Sequence, residues 1–246
     1  MLPPDVALVQ LINRTASAYV SNPPAFITYR ERTQVSAPTL GRSQEINRFV
    51  QVRQADNYAI MQDLPEGAQR TGQAFPIIPY FDPLTSFSFS WFANLKRIDI
   101  TLNRGPVGQW PMPQADPGVS AVMPYASFWV PSYMPDSTES RLHIRIQPTA
   151  AYGRGFYPSD IVEDSQTHLP SHIEMRTTDD SEVITFDYRV QQGHWVMTQG
   201  TFTSMQHFGP MTFQVVARTD YMDMAFPDAP PDPRLAGTPA PAPSNS

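Results

Sequence analysis

Apolar and polar residues alternate with a period of two along most of the chain from Ile46 onward. That is the signature of strands with one buried and one solvated face. "RLHIRIQP" alternates throughout, with Leu142, Ile144 and Ile146 on one side and His143 and Arg145 on the other. "RIDITLNR" (Arg97–Arg104) does the same through Ile98, Ile100 and Leu102, and Phe49-Val50-Gln51-Val52 is rich in strand formers. Phe75–Ile78 reads as a strand closed by Pro79, and "SAVMPYASFWV" (Ser120–Val130) as one that ends at Pro131. "SHIEMR", "EVITFDYRV", "HWVMTQGTFTSM" and "MTFQVVARTDYMDM" complete a set of roughly nine or ten strands with no long helix among them. In Ser86–Leu95 the rings of Phe87, Phe89 and Trp91 alternate with small polar residues, which suits a half-buried strand or a short helix equally.

The two ends break this pattern. Residues 1–45 read as an extended N-terminal arm. A short helix fits Val6–Ile12, where Leu8, Leu11 and Ile12 have helical spacing, and Pro23-Pro24 stops it. Residues 227–246, "PDAPPDPRLAGTPAPAPSNS", read as a flexible Pro/Ala-rich tail with polyproline character. Residues 46–226 between them form one strand-rich domain. No repeat recurs at a fixed period.

Composition narrows the partners. Only 16% of residues are charged, against about 25% in ordinary soluble domains. Much of the surface is therefore neutral or apolar, as in proteins covered by neighbours. The 27 prolines favour short strands and long ordered loops. A net charge of -6 argues against a globally basic nucleic-acid binder but leaves room for a local basic face. Lys96 stands alone among otherwise arginine cations, and arginine suits bidentate interface pairs; biased base composition explains the imbalance equally well. Without cysteine, disulfides and thiolate metal sites are excluded. No apolar run has the ~18 residues of a membrane-spanning helix, and the N-terminus lacks the basic, continuously apolar start of a signal peptide.

The search for catalytic chemistry yields nothing specific. The chain has no nucleophile elbow, phosphate-binding loop or zincin motif. His168 and His172 would share a face on a helix, but Pro170 lies between them, so surface histidines are the better reading. Asp179-Asp180-Ser181-Glu182 has the composition of a calcium loop, yet a solvated turn between two strands accounts for it more simply. The aromatics at Phe87–Phe92 lack the interleaved basic residues of a base-stacking surface. The expectation is therefore a protein without enzymatic activity, cofactor or metal.

Four segments together carry a resemblance. "GRSQEINRFVQV" (Gly41–Val52), "LTSFSFSWFANLKRIDITLN" (Leu84–Asn103), "YASFWVPSYMPD" (Tyr125–Asp136) and "MTFQVVARTDYMDMAFPDAPPDPR" (Met211–Arg234) follow one another as in the major capsid proteins of picorna-like viruses. Their order resembles the subunit around the five-fold axis, and the short segments between strands look closer to insect iflaviruses or dicistroviruses than to mammalian enteroviruses. In place of the family's Pro-Pro-Gly turn stands Pro131-Ser132-Tyr133. The Asp-Asp-Phe motif of some insect-virus capsids is reduced to Asp179-Asp180-Ser181, so no cleavage role carries over.

The resemblance implies an all-β fold, an eight-stranded antiparallel jelly-roll β-sandwich with the extended arm and the Pro-rich tail. It implies a structural protein of an icosahedral virion, built in the host cytoplasm from about sixty copies of itself with sister capsid subunits around genomic RNA. A host receptor would be a further partner, and stable membrane insertion is not expected. Arg14, Arg30, Arg32 and Arg42 are the candidate inner-surface contacts to RNA phosphates, with ordinary salt bridges the alternative. Phe87, Phe89, Trp91 and Trp129 are the candidate core anchors. A carbohydrate-binding, lectin-like jelly roll is the other reading, with Trp110 or Trp195 exposed for sugar stacking. A β-sandwich enzyme would need a convergent polar cluster that the sequence does not display.

Overall fold

The computed structural model describes residues 1–65, 67–73, 79–90, 99–102, 129–152, 156–208 and 211–237. The chain opens with helix α1 (Pro4–Ser21). Pro4 occupies the first turn, where its missing N–H costs nothing, and Asp5 sits where the helix dipole favours an acid. Ala7, Leu8, Leu11, Ile12, Thr15 and Ala16 form one buried stripe at helical spacing, and Pro23-Pro24 prevents continuation beyond Asn22.

Four strands follow: β1 (Phe26–Ala37), β2 (Arg42–Arg53), β3 (Tyr58–Asp63) and β4 (Gln69–Gln73). A short helix α2 (Pro83–Ser86) precedes a separate two-stranded hairpin, β5 (Phe87–Ser90) with β6 (Asp99–Leu102). The remaining strands are β7 (Trp129–Tyr133), β8 (His143–Pro148), β9 (Phe156–Glu163), β10 (Pro170–Thr177), β11 (Glu182–Gln191), β12 (His194–Phe208) and β13 (Met211–Ala225).

Eleven of these make a single antiparallel sheet in the order β4-β3-β2-β1-β13-β12-β11-β10-β9-β8-β7. It is two meanders joined where β1 pairs with β13, Thr33 opposite Thr219 and Arg32 opposite Asp220. Tight turns explain why chain neighbours pair. Gln192 and Gly193 both take positive φ between β11 and β12, as a two-residue hairpin requires, and Asn57 and Asp180 take left-handed conformations in the β2–β3 and β10–β11 turns. Register shifts near Thr28/Arg30, Glu174/Met175 and Asp187/Tyr188 interrupt the ladders, and bulges of this kind coil a sheet.

The inner face carries the core. Ile27 and Tyr29 of β1, Val50 and Val52 of β2, Ile173 of β10, Phe186 and Tyr188 of β11 and Tyr221 of β13 pack with Leu8 and Leu11 of α1. Tyr188 stacks on Trp195 at 4.0 Å between ring centres, and its hydroxyl donates to the Phe81 carbonyl.

The all-β, antiparallel expectation stands, but the eight-stranded jelly-roll sandwich is corrected. A jelly roll folds its strands into two facing sheets through long crossovers; here the short turns keep consecutive strands side by side in one open sheet. The expected arm of residues 1–45 is also corrected. It holds an 18-residue helix docked on the core and a strand in the middle of the sheet, and residue 46 falls inside β2. Most of the expected tail through Gly237 is anchored, with Leu235 buried, while 238–246 lie outside the described residues. The expected strand Phe75–Ile78, most of Ser120–Val130, and Trp91 also lie outside them. Phe87 and Phe89 fall in β5, opposite Leu102 and Ile100 of β6. Trp129 is buried in the core, its ring 6.4 Å from that of Tyr152.

Candidate functional site

An uncharged groove lies on the outer face of the sheet, around β1, β2 and the end of β13. Along β2 the residues alternate, with Val50 and Val52 inward and Phe49, Gln51 and Arg53 outward. Thr28 of β1 stands between Gln51 of β2 and Ala225 of β13 in the backbone register. Beyond Ala225 the chain turns across the sheet through Phe226, Pro227 and Pro231. Together Thr28, Phe49, Gln51, Gln192, Ala225, Phe226, Pro227 and Pro231 line an open groove of about 630 Å3. None of these side chains is charged.

Both ends of the groove are held. The Phe226 ring lies 4.4 Å from the ring of His194, which meets the edge of Tyr80 at 6.2 Å, and Tyr80 stacks on Tyr19 of α1 at 4.7 Å. The Tyr80 hydroxyl donates to the Tyr19 carbonyl, and burial pushes its ionisation well above the ordinary tyrosine value. Gln191, beside the lining residue Gln192, donates from its side-chain amide to the Met224 carbonyl at 3.0 Å.

On the other side, the segment after β13 is tied down by arginines. Arg53 donates from Nη1 to the carbonyls of Leu235 (2.9 Å) and Gly237, while its Nε and Nη2 reach both carboxylate oxygens of Asp56 at 2.9 and 2.7 Å. Its guanidinium carbon lies 5.4 Å from the centre of the Tyr58 ring. Arg234 pairs with Asp232 at 2.8 Å and donates to the Gln69 side chain of β4 at 3.0 Å. The Arg234 contact holds the Asp232 carboxyl down at about 2.

The arginines expected to face RNA are not gathered on one surface. Arg14 projects from α1 on the inner side and lies 2.8 Å from the buried carboxylate of Glu163. Arg30 and Arg32 share the outer face of β1, where they meet Asp223 (3.6 Å) and Asp220 (3.0 Å). Arg42 is exposed at the start of β2, opposite Ala37. The Asp179–Glu182 cluster is a hairpin turn in which Asp179 accepts from the backbone N–H and hydroxyl of Ser181. His168 and His172 pair with different acids, Glu163 and Asp187, so they do not form a joint ligand pair. Among the described residues no cluster of three or more metal-ligating side chains occurs.

Trp195, one of the two tryptophans considered for sugar stacking, is buried and donates its indole N–H to the Pro170 carbonyl at 2.8 Å. Trp110 lies outside the described residues. The lectin reading therefore loses Trp195 as an exposed platform. Sequence reasoning missed the groove. Its available signal was the apolar pair Phe226-Pro227 between the last strand and the Pro-rich segment.

No protein-family profile matches the sequence, and no curated protein matches it. Three solved structures show what the chain is similar to. A LolA superfamily protein, NE2245 from Nitrosomonas europaea, is 11% identical, with 90% of this chain and 94% of that chain covered and a TM-score of 0.40. A DUF1329 family protein from Desulfovibrio piger is 10% identical, with 91% and 93% covered and a TM-score of 0.43. In the MucA/MucB complex of Pseudomonas aeruginosa, the matching chain is 10% identical, with 89% and 98% covered and a TM-score of 0.24.

These are bacterial proteins, and none is a coat protein. The single eleven-stranded antiparallel sheet is not the two-sheet jelly roll that the resemblance implied, and it overturns the assignment to a picorna-like virus capsid. The expected partners fall with it: sister capsid subunits, about sixty copies of itself and genomic RNA. So do the host receptor and the virion location.

Proposed function

We propose that this chain is a non-catalytic binding protein whose groove takes an extended, uncharged, proline-containing segment of a partner protein. The carrying observation is the lining: two phenylalanines, two prolines and two glutamines, with no charge among them. Aromatic and proline walls pack against proline rings, and a preformed polyproline helix loses little entropy on docking. Glutamine both donates and accepts, so Gln51 and Gln192 can serve the carbonyls and N–H groups of a passing backbone. A charged ligand would leave its solvation here without a partner.

The histidine contacts fit a non-catalytic role. His143 lies between Asp136 and Asp160, His168 meets Glu163, His172 meets Asp187, and His194 packs on aromatic rings. None of these contacts is the hydroxyl–imidazole pairing of a serine nucleophile.

The test is fluorescence anisotropy with a labelled Thr-Pro-Ala-Pro-Ala-Pro-Ser peptide, and with a second peptide in which every proline is replaced by glutamate. Saturable binding of the first alone is expected, weakened about tenfold by Phe226→Ala, equivalent to ~1.4 kcal/mol. Equal binding of both peptides, or no effect of Phe226→Ala, would refute the reading.

A further inference from the structure

The groove has one wall that does not belong to the sheet. Pro227 and Pro231 come from the segment Phe226–Gly237, which leaves β13 and crosses the outer face toward β4. Its far end is fastened at few points. Leu235 is buried, the Leu235 and Gly237 carbonyls accept from Arg53, and Arg234 reaches Gln69.

Arg53 does two tasks at once. Two of its nitrogens are occupied by the Asp56 carboxylate, and this fixes the plane of the guanidinium over Tyr58. A third nitrogen is thereby aimed at two carbonyl acceptors, those of Leu235 and Gly237. Only a planar fork can make both sets of contacts; an ammonium group is a single point from which they cannot all be reached. Arg53 also lies on the same side of β2 as Gln51 and Phe49, so the fastening point is continuous with the groove floor.

We infer that Phe226–Gly237 is a strap that forms the movable wall of the groove, and that Arg53, aligned by Asp56, is the latch that holds it closed. Arg53 is a positioning residue: it touches the strap and leaves the contact with ligand to Phe49, Gln51 and Phe226. The consequence for ligand rests on the proposed function, whereas the latch itself does not.

Hydrogen–deuterium exchange of the full chain tests the latch without any ligand. In Arg53→Lys, peptides covering 226–237 should exchange about tenfold faster, while those from β10 to β12 keep their protection. The bonded N–H of Leu235, which donates to the Asp232 carbonyl at 2.9 Å, is one amide expected to respond. Leu235→Ala, which leaves Arg53 intact, should loosen the same peptides and no others. Asp56→Asn should give the same pattern more weakly. The anisotropy assay is then run on the same proteins, with about tenfold weaker peptide binding expected in Arg53→Lys.

Unchanged exchange of 226–237 in Arg53→Lys would overturn the latch. So would a loss of protection spread evenly through the sheet, which would mark Arg53 as merely structural. A loosened strap with undiminished peptide affinity would overturn its role as groove wall. If the native protein binds no peptide but the strap still loosens selectively, the latch stands and the proposed function fails.

Discussion

A charged contact between Arg14 and Glu163 ties helix α1 to the sheet, and removing either partner should not cost the same. Glu163 is only 2% exposed, whereas Arg14 is 42% exposed. One carboxylate oxygen accepts from the Leu142 N–H at 3.0 Å; the other lies 2.8 Å from the Arg14 guanidinium, an ion contact. Nδ1 of His168 stands 3.4 Å from that same oxygen. Arg14→Ala leaves a buried carboxylate without its arginine. Breaking a buried pair costs ~3–5 kcal/mol, and the remaining backbone donor and His168 place this case near the low end, at about 3 kcal/mol. Glu163→Gln keeps an acceptor for Leu142, and Arg14 turns into water, so the loss is about 1 kcal/mol. At about 2–4 °C per kcal/mol for a chain of this size, the drops in melting temperature are roughly 6–12 °C and 2–4 °C. The assay is thermal unfolding at neutral pH followed by tryptophan fluorescence, since Trp129 and Trp195 are both buried. In the double variant the orphaned charge is gone, so it should be more stable than Arg14→Ala alone. A Glu163→Gln protein as unstable as Arg14→Ala, or a double variant worse than both, would refute this account of how the helix is held.

Two further outcomes follow from local geometry. The Asp187 carboxylate, 2.6 Å from His172 Nδ1, raises the His172 pKa, with Asp160 and Glu174 adding to the effect against burial. The folded value thus lies above the unfolded ~6.5, so the pair's contribution is complete below that pH and is lost as pH rises through the folded value. His172→Gln should therefore be most destabilising near about pH 6, with a gap that narrows in alkaline buffer when unfolding is measured across the range. At Gly193, φ is +79° and a Cβ would meet nothing within 4 Å; Gly193→Ala should cost about 1 kcal/mol through backbone strain alone, read as a lower urea midpoint with an unchanged slope.

Much of the strand content was legible because alternation is a local property. The segments around Leu142–Ile146, Glu182–Val190 and Met211–Met224 announce themselves through period-two patterning, and the structure places strands there. β1 escaped notice for the same physical reason. In "FITYRERTQVSA" the inner side carries Ile27, Tyr29, Val35 and Ala37, and Glu31 and Thr33 interrupt them. Glu31 is tolerated inward because Arg48 of β2 and Asp63 of β3 form an ion-paired group beside it, a contact between segments that no local pattern displays. Helix α1 was read too short because its stripe continues through Thr15 and Ala16, residues too weakly apolar to be counted as core. Thr15 is nonetheless buried, its hydroxyl satisfied by the Leu11 carbonyl at 2.8 Å.

The sequence by itself determined that the chain is strand-rich and antiparallel, that cysteine chemistry is absent, and that Pro23-Pro24 bounds its first helix, whereas the strand expected to end at Pro131 runs through it to Tyr133. Each of these follows from a residue's own backbone preference or from a spacing of a few positions. Tertiary structure alone decided that consecutive strands lie side by side in one sheet, that β1 pairs with β13 across nearly the whole chain, and that the first residues pack against the core as a helix. It also decided the groove, because Phe49, Gln192 and Pro231 become neighbours only when two meanders meet and the last segment crosses back over them. Such meetings are set by the free energy of burying one shared face, a sum over distant residues that the order of a few neighbours does not encode.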